Sequence, residues 1–469
     1  MKSQDGFRAS RAFFVCVLSL FALFPAYTNP VTAPNSAKQK KVKPIEVSSD
    51  QFLWRVDLHS MGYPDNGNQL QSRRGLDEFD TVDFVGEGVV AATFITQEPA
   101  PGLQRRDDPN RAPLYRLHAV FLEAASGKVL KTLDWPLDNP NAGIFPRYDG
   151  SFLFLSTHRI VLYSPDWTPV KELPLPQLQQ PHAYLAGIAE SPSGKVLVVR
   201  FHQGSSIRCV RISTDTLEGS EEPCEIPEEF TVSDDAMAVS EWGRDRTEDN
   251  EFGPEVYYHG FPMPSHGPDP RRILIREMGK PVRTLCDCLV CFPQFISNQT
   301  IVTYSSPYLW LFDVAGHLEF KKEFDRRGPE ELAWIDDMGR PVRPSTDGRR
   351  FALALNTPII KGATGYLVKA FKTEPGDPPA TFPDRIDIFD APNGQLIYTL
   401  KDKVTQFSVF YAYDENNVLI KGQYPIERQF PQIMGLALSP SGEKLAIDSG
   451  GVIQVYALPP AAQTPPPSH

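Results

Sequence analysis

Apolar and polar residues alternate with a period of two along most of the chain. Ile386-Asp-Ile-Phe-Asp, Val452-Ile-Gln-Val-Tyr and Gln51-Phe-Leu-Trp-Arg-Val-Asp-Leu58 are typical runs. Successive side chains of a strand point to opposite faces, so this pattern predicts half-buried β-strands. Short polar clusters containing Gly separate the runs, which predicts hairpins.

The hairpins repeat. Gly187-Ile-Ala-Glu-Ser-Pro-Ser-Gly194 matches Gly435-Leu-Ala-Leu-Ser-Pro-Ser-Gly442, and each is followed by a second apolar run. Weaker relatives turn at Asp149-Gly150, Asp234-Asp235, Asn298-Gln299 and Asp347-Gly348. A second type of hairpin follows each of these. Leu309-Trp-Leu-Phe-Asp-Val-Ala-Gly316 and Ile386-Asp-Ile-Phe-Asp-Ala-Pro-Asn-Gly394 are examples, with others turning at Gly127, near Thr168, near Gly219 and at Gly279. Two hairpins in each unit of about 40–60 residues make four strands per repeat, the spacing of propeller blades.

Six of the second hairpins are complete. The seventh, Val452–Leu458, runs into a Pro-rich tail, while Gln51–Leu58 is a strand without a hairpin of its own. Pairing the first strand with the last blade would close a ring and remove its open edges. The expected fold is therefore all-β: a seven-bladed β-propeller over residues 51–458, closed by its N-terminal strand. On the Ser-Pro-Ser-Gly turns and the aliphatic–Phe/Tyr–Asp–x–x–x–Gly hairpins, the chain resembles the WD40-like and YVTN-type β-propellers. The Gly-His and Trp-Asp pairs of true WD40 repeats are missing apart from Gly316-His317, and the resemblance implies a fold rather than a function. One helix is expected in an insertion, over Pro329–Gly339, with Pro at the first helical position, acids in the first turn and Gly just past the end.

The ends read differently. Lys2, Arg8 and Arg11 precede the apolar run Ala12–Phe24, and Val31 and Ala33 supply a small-residue cleavage site. These features predict a signal peptide over residues 1–33 and an extracytoplasmic (periplasmic or secreted) protein. The apolar run is too short for a membrane span of about 20 residues, so no stable membrane insertion is expected after cleavage. Residues 34–50, with Lys38, Lys40, Lys41 and Lys43, read as a flexible basic linker, and residues 459–469 as a disordered Pro-rich tail. The 469 residues carry 47 Lys and Arg against 58 Asp and Glu, a net charge of −11. An acidic chain without a basic domain does not suit nucleic acid.

Export makes the six cysteines informative. Cys209 and Cys224 straddle a hairpin centred between Thr216 and Leu217, which would place them opposite each other and predicts a disulfide. Cys286, Cys288 and Cys291 form a Cys-x-Cys-x-x-Cys triplet that could hold a soft metal ion, but the nearest His in sequence is His266. A disulfide within or beside the triplet is the plainer reading, so no metal site is expected.

Signatures of enzymes fail in turn: there is no His-Glu-x-x-His, Gly-x-Ser-x-Gly, phosphate loop or EF-hand string. The expectation is a monomeric, non-catalytic module without cofactor or catalytic residue. It would bind a protein or glycan at the propeller mouth, helped by insertions at 99–113, 243–271 and 325–344. The alternative is a hydrolase or lyase with two carboxylates facing each other across the channel. A quinoprotein-like dehydrogenase fits less well, since Lys131 and Tyr398 stand where that family's repeat has Trp.

Overall fold

The computed structural model describes residues 44–63, 82–98, 114–137, 142–175, 183–203, 206–222, 229–242, 256–258, 261–263, 271–277, 280–288, 292–305, 308–323, 331–332, 342–356, 385–401, 404–413, 419–428 and 435–460. Among the described residues the strands form nine sheets, of which seven, built on antiparallel ladders, are the blades of a propeller. Blade one spans 82–137, blade two 142–174, blade three 183–222 and blade four 229–288. Blade five spans 292–323 and blade six 331–401. Blade seven combines Gly435–Leu438, Lys444–Ser449 and Val452–Ala457 with Trp54–Asp57 from the chain's other end.

That last pairing is the expected closure. Trp54 sits opposite Val455 and Asp57 opposite Val452 in an antiparallel ladder. The Trp54 indole N–H donates to the Ala124 carbonyl of blade one, 3.0 Å away, so the closing strand joins blade seven to blade one.

Period-two alternation explains how the ring holds together. Each strand sends alternate side chains toward the blade on either side, and the core divides into seven clusters, one at each blade–blade interface. On the third strand of blade one, Leu117, Ala119 and Phe121 face blade two. Val120 and Leu122 between them face blade seven. A disc of such interfaces needs no single large core, because each inner strand is covered on both faces by its neighbouring blades.

Four details differ from the sequence reading. Ile45–Ser48, read as linker, is a strand paired in parallel with Gln395–Lys401, so ordered structure begins before residue 51. Glu331–Leu332, read as helix, is a short strand pairing with Leu355 and Asn356; an open strand end in blade six offers those amides partners that an isolated turn of helix cannot match. Val404–Tyr413 and Leu419–Arg428 form a separate two-stranded ribbon between blades six and seven. In blade three Ser213 pairs with Glu218, which puts the turn at residues 214–217, one residue earlier than expected. Leu217 takes the left-handed conformation there, at φ 51°.

Candidate functional site

In an antiparallel four-stranded blade, the turns between strands one and two and between three and four lie at one end. The connections between strands two and three, and on to the next blade, lie at the other. The expected binding insertions leave from this second end: 99–113 and 243–271 join second to third strands, and 325–344 runs from blade five into the first strands of blade six, Glu331–Leu332 and Val342–Pro344. Most of these residues lie outside the described ones.

The opposite end is built from the polar turns that marked the repeats, and they join into a belt. The Ser441 amide donates to the Glu87 carboxylate, linking blade seven to blade one. Gly86 backs onto Gly150 of blade two, and Gly194 of blade three packs on the backbone of Arg147. Ser193 Oγ donates to Asp234 Oδ1 at 2.5 Å, joining blades three and four. Asn298 then bonds Asp234 twice, its Nδ2 donating to Oδ2 at 2.6 Å and its Oδ1 accepting the Asp234 amide at 3.1 Å. Gly348 packs on Ser297 between blades five and six, and the Asp347 amide donates to Pro440 O at 3.0 Å to reach blade seven.

Within this belt a cavity of about 120 Å³ opens into the central channel. Four charged side chains line it, one from each of four blades: Asp83, Arg147, Glu190 and Arg343. Gln294 adds an amide and Tyr148 an aromatic ring at the turn, where it is 49% exposed. Arg147 is held by a hydrogen bond to Ser151 at 3.1 Å and an ion pair with Asp215 of blade three. Burial pushes the Arg343 guanidinium down to about 9, still above neutrality, so the channel carries a fixed positive charge there.

The cysteines fall away from this cavity. Cys209 is buried in the interface between blades three and four. The observed register sets it opposite Glu222 rather than Cys224, and Cys224 lies outside the described residues. Cys286 is a half-buried thiol on the outer strand of blade four. The side chain of Cys288 and the whole of Cys291 lie outside the described residues. Among the described residues, no three His, Cys, Asp or Glu side chains are grouped to hold a metal ion.

The charged lining was not legible in the sequence, because its members lie up to hundreds of positions apart. The one available signal was position: Arg147, Glu190 and Arg343 each stand within a few residues of a repeat turn.

The strand pairings define a seven-bladed β-propeller that is WD40-like in its fold. No family model matches the chain, and no curated protein does. Among solved structures, the Pan2 WD40 domain of Neurospora crassa is similar over 90% of this chain and 99% of its own, at 13% identity and a TM-score of 0.44. The C-terminal WD40 domain of Sif2 aligns over 83% of this chain and 98% of its own, at 12% identity and TM-score 0.37. An acylaminoacyl peptidase of Pyrococcus horikoshii aligns over 81% of this chain but 52% of its own, at 12% identity and TM-score 0.41.

Proposed function

We propose that the chain is an exported binding platform that holds a protein partner at the belt end of its channel. The observation that carries this is the lining of the cavity: two carboxylates and two guanidiniums around an exposed tyrosine. Mixed charge of this kind complements a polar protein surface and gives specificity and orientation. Tyrosine and arginine are the side chains that most often anchor such contacts. The cavity is smaller than the roughly 300 Å³ at which small-molecule pockets begin, which suits a side chain or loop tip of a partner better than a whole sugar. The belt supports the reading physically, since a rigid rim loses little entropy when it docks.

Export rests on the basic, apolar and small-residue order of residues 1–33, and a single chain satisfies every blade interface, in keeping with a monomer. The same compartment would let Cys209 bridge to Cys224, and the burial of Cys209 near the end of its hairpin is compatible with that bond.

The test is a photo-crosslinking amino acid in place of Tyr148, in cells that export the full chain. One discrete crosslinked protein, absent when the probe stands at exposed Val170 on the outer strand of blade two, supports the reading. An identical pattern at both positions sinks it. N-terminal sequencing of the recovered chain checks cleavage after Ala33.

A further inference from the structure

Away from the channel, on blade one, Thr96, His118 and Asp134 stand on three neighbouring strands and are joined in line. The Thr96 hydroxyl lies 2.8 Å from His118 Nε2, and His118 Nδ1 lies 2.6 Å from Asp134 Oδ1. Strand register accounts for this. Phe94, His118 and Asp134 are direct partners across the second, third and fourth strands, and Thr96 is two residues from Phe94 on the same sheet face.

The atoms define a direction. An ionised Asp134 can only accept, so Nδ1 carries the imidazole hydrogen and Nε2 is left to accept from the Thr96 hydroxyl. This is the connectivity of hydroxyl–imidazole–carboxylate triads, which are recognised by geometry and recur in different chain orders on unrelated folds.

The surroundings suit a reacting group. Phe94 stacks on the imidazole at 5.0 Å and 20°, and Tyr63 stands edge-on to it at 5.5 Å. These rings shield the hydroxyl–imidazole contact, while exposure rises along the line from 9% for Thr96 through 13% for the His118 side chain to 45% for that of Asp134. Burial, reinforced by the charge of Asp134, raises the Tyr63 phenol above its ordinary value, so it keeps its proton and offers a donor beside the ring. The aromatic rings beside the imidazole, with the exposed side at Asp134, suit a small acyl group better than a polymer.

We propose that Thr96, His118 and Asp134 form an acyl-transfer site that hydrolyses small esters, separate from the binding mouth and independent of it. Thr96 Oγ attacks the carbonyl carbon while His118 Nε2 takes the hydroxyl proton. Collapse breaks the bond to the leaving alcohol, which receives that proton and departs. Water, giving a proton to the same nitrogen, then attacks the acyl-threonine, releasing the acid and restoring the hydroxyl. Asp134 is a positioning residue that holds the ring in the required tautomer.

The experiment uses the full mature chain with p-nitrophenyl acetate at pH 8, following nitrophenolate release and the mass of the peptide containing residue 96. The expected result is an acetyl adduct on that peptide. Thr96→Val and His118→Asn should each slow release by at least about tenfold. Thr96→Ser keeps the hydroxyl and should keep the label at that position, which guards against a valine variant that merely misfolds. Asp134→Asn should lower the rate while leaving the acetyl label at residue 96, because the amide can present its NH2 to Nδ1 and turn the ring into the wrong tautomer. Absence of an adduct at residue 96 in the unaltered chain, or rates in Thr96→Val and His118→Asn as fast as that of the unaltered chain, would overturn the proposal and leave the three residues as a cross-strand hydrogen-bond network.

Discussion

The indole of Trp54 occupies the space that a side chain on Gly127 would need. A Cβ at residue 127 would come within 2.7 Å of Trp54 Cε3. Gly127 is also in the left-handed region, at φ 73°, in the turn between the outer strands of blade one. The closing strand can therefore seat its tryptophan because residue 127 has no side chain. Gly127→Ala meets two penalties together: about 1–2 kcal/mol for the left-handed conformation and about 1–3 kcal/mol for overpacking. A drop in melting temperature of the whole ring is expected, with loss of Trp54 fluorescence in the same transition. A variant that melts with the unaltered chain would mean that Trp54 is not seated there.

Asp234 carries the belt from blade three to blade five and titrates accordingly. Burial alone would raise its carboxyl, but hydrogen bonds from Ser193, Asn298 and Ser191, with nearby Lys195, together outweigh this and hold it below the ordinary 3.8. A carboxyl depressed in the folded state stabilises the fold above the unfolded pKa, and that contribution is lost as pH falls through the folded one. Asp234→Ala should therefore lower stability at pH 7 by about 1–2 kcal/mol, the scale of the hydrogen bonds removed. Its difference from the unaltered chain should shrink below about pH 4, where the carboxyl of the unfolded chain takes up its proton before the native one does. Denaturant titrations at pH 7 and pH 3 measure this, and an equal gap at both would contradict it.

How far the sequence could be read follows from the range of each interaction. The Ser191–Gly194 and Ser439–Gly442 turns announce themselves because both strands of a hairpin are local, and counting the second hairpins, six complete and one cut short, was enough to reach seven blades. Closure was legible too, since Gln51–Leu58 lacked a neighbour and Val452–Leu458 lacked a following strand. The belt was not, because Asp234 and Asn298 belong to different blades and nothing in either turn names its partner. His118 gives no signal of its partners in the sequence for a related reason. Its link to Thr96 crosses the insertion at 99–113, and only strand register brings the two together. Glu331 and Leu332, the described part of the expected helix at Pro329–Gly339, show the converse error, in which local capping signals gave way to a free strand edge in blade six.

The cysteine pair gives a chemical test. Cys209 pairs with Glu222, and Cys224 follows two residues further along the chain. A bond between them would cross the ladder diagonally or draw the chain back after the strand ends. Peptide mapping of non-reduced, exported protein should recover the peptides of Cys209 and Cys224 as one species that separates on reduction. Cys224→Ser should cost on the order of 3 kcal/mol in the loop-closure model for a loop of about 15 residues. An alkylated thiol at Cys209 in unreduced protein would rule the bond out.

Blade six contains a buried ion pair whose partners stabilise the fold unequally when removed. Asp387 is 1% exposed, accepts from Thr399 Oγ1 at 2.9 Å and pairs with Arg385 Nη2 at 3.0 Å. A carboxylate taken out of water at this depth depends on both donors, because the cost of burying it is larger than either bond returns alone. Arg385→Met leaves that charge in place and should cost about 3–5 kcal/mol. Thr399→Val removes one neutral donor and should cost less, about 1–2 kcal/mol. Asp387→Leu combined with Arg385→Met removes the charge with its partner and should recover most of the first loss, since an apolar pair of similar volume suits an interface already built from Leu353, Leu355 and Phe389. Chemical denaturation of the three variants tests the order. A double variant as unstable as Arg385→Met alone would show that the arginine acts by packing rather than by neutralising Asp387.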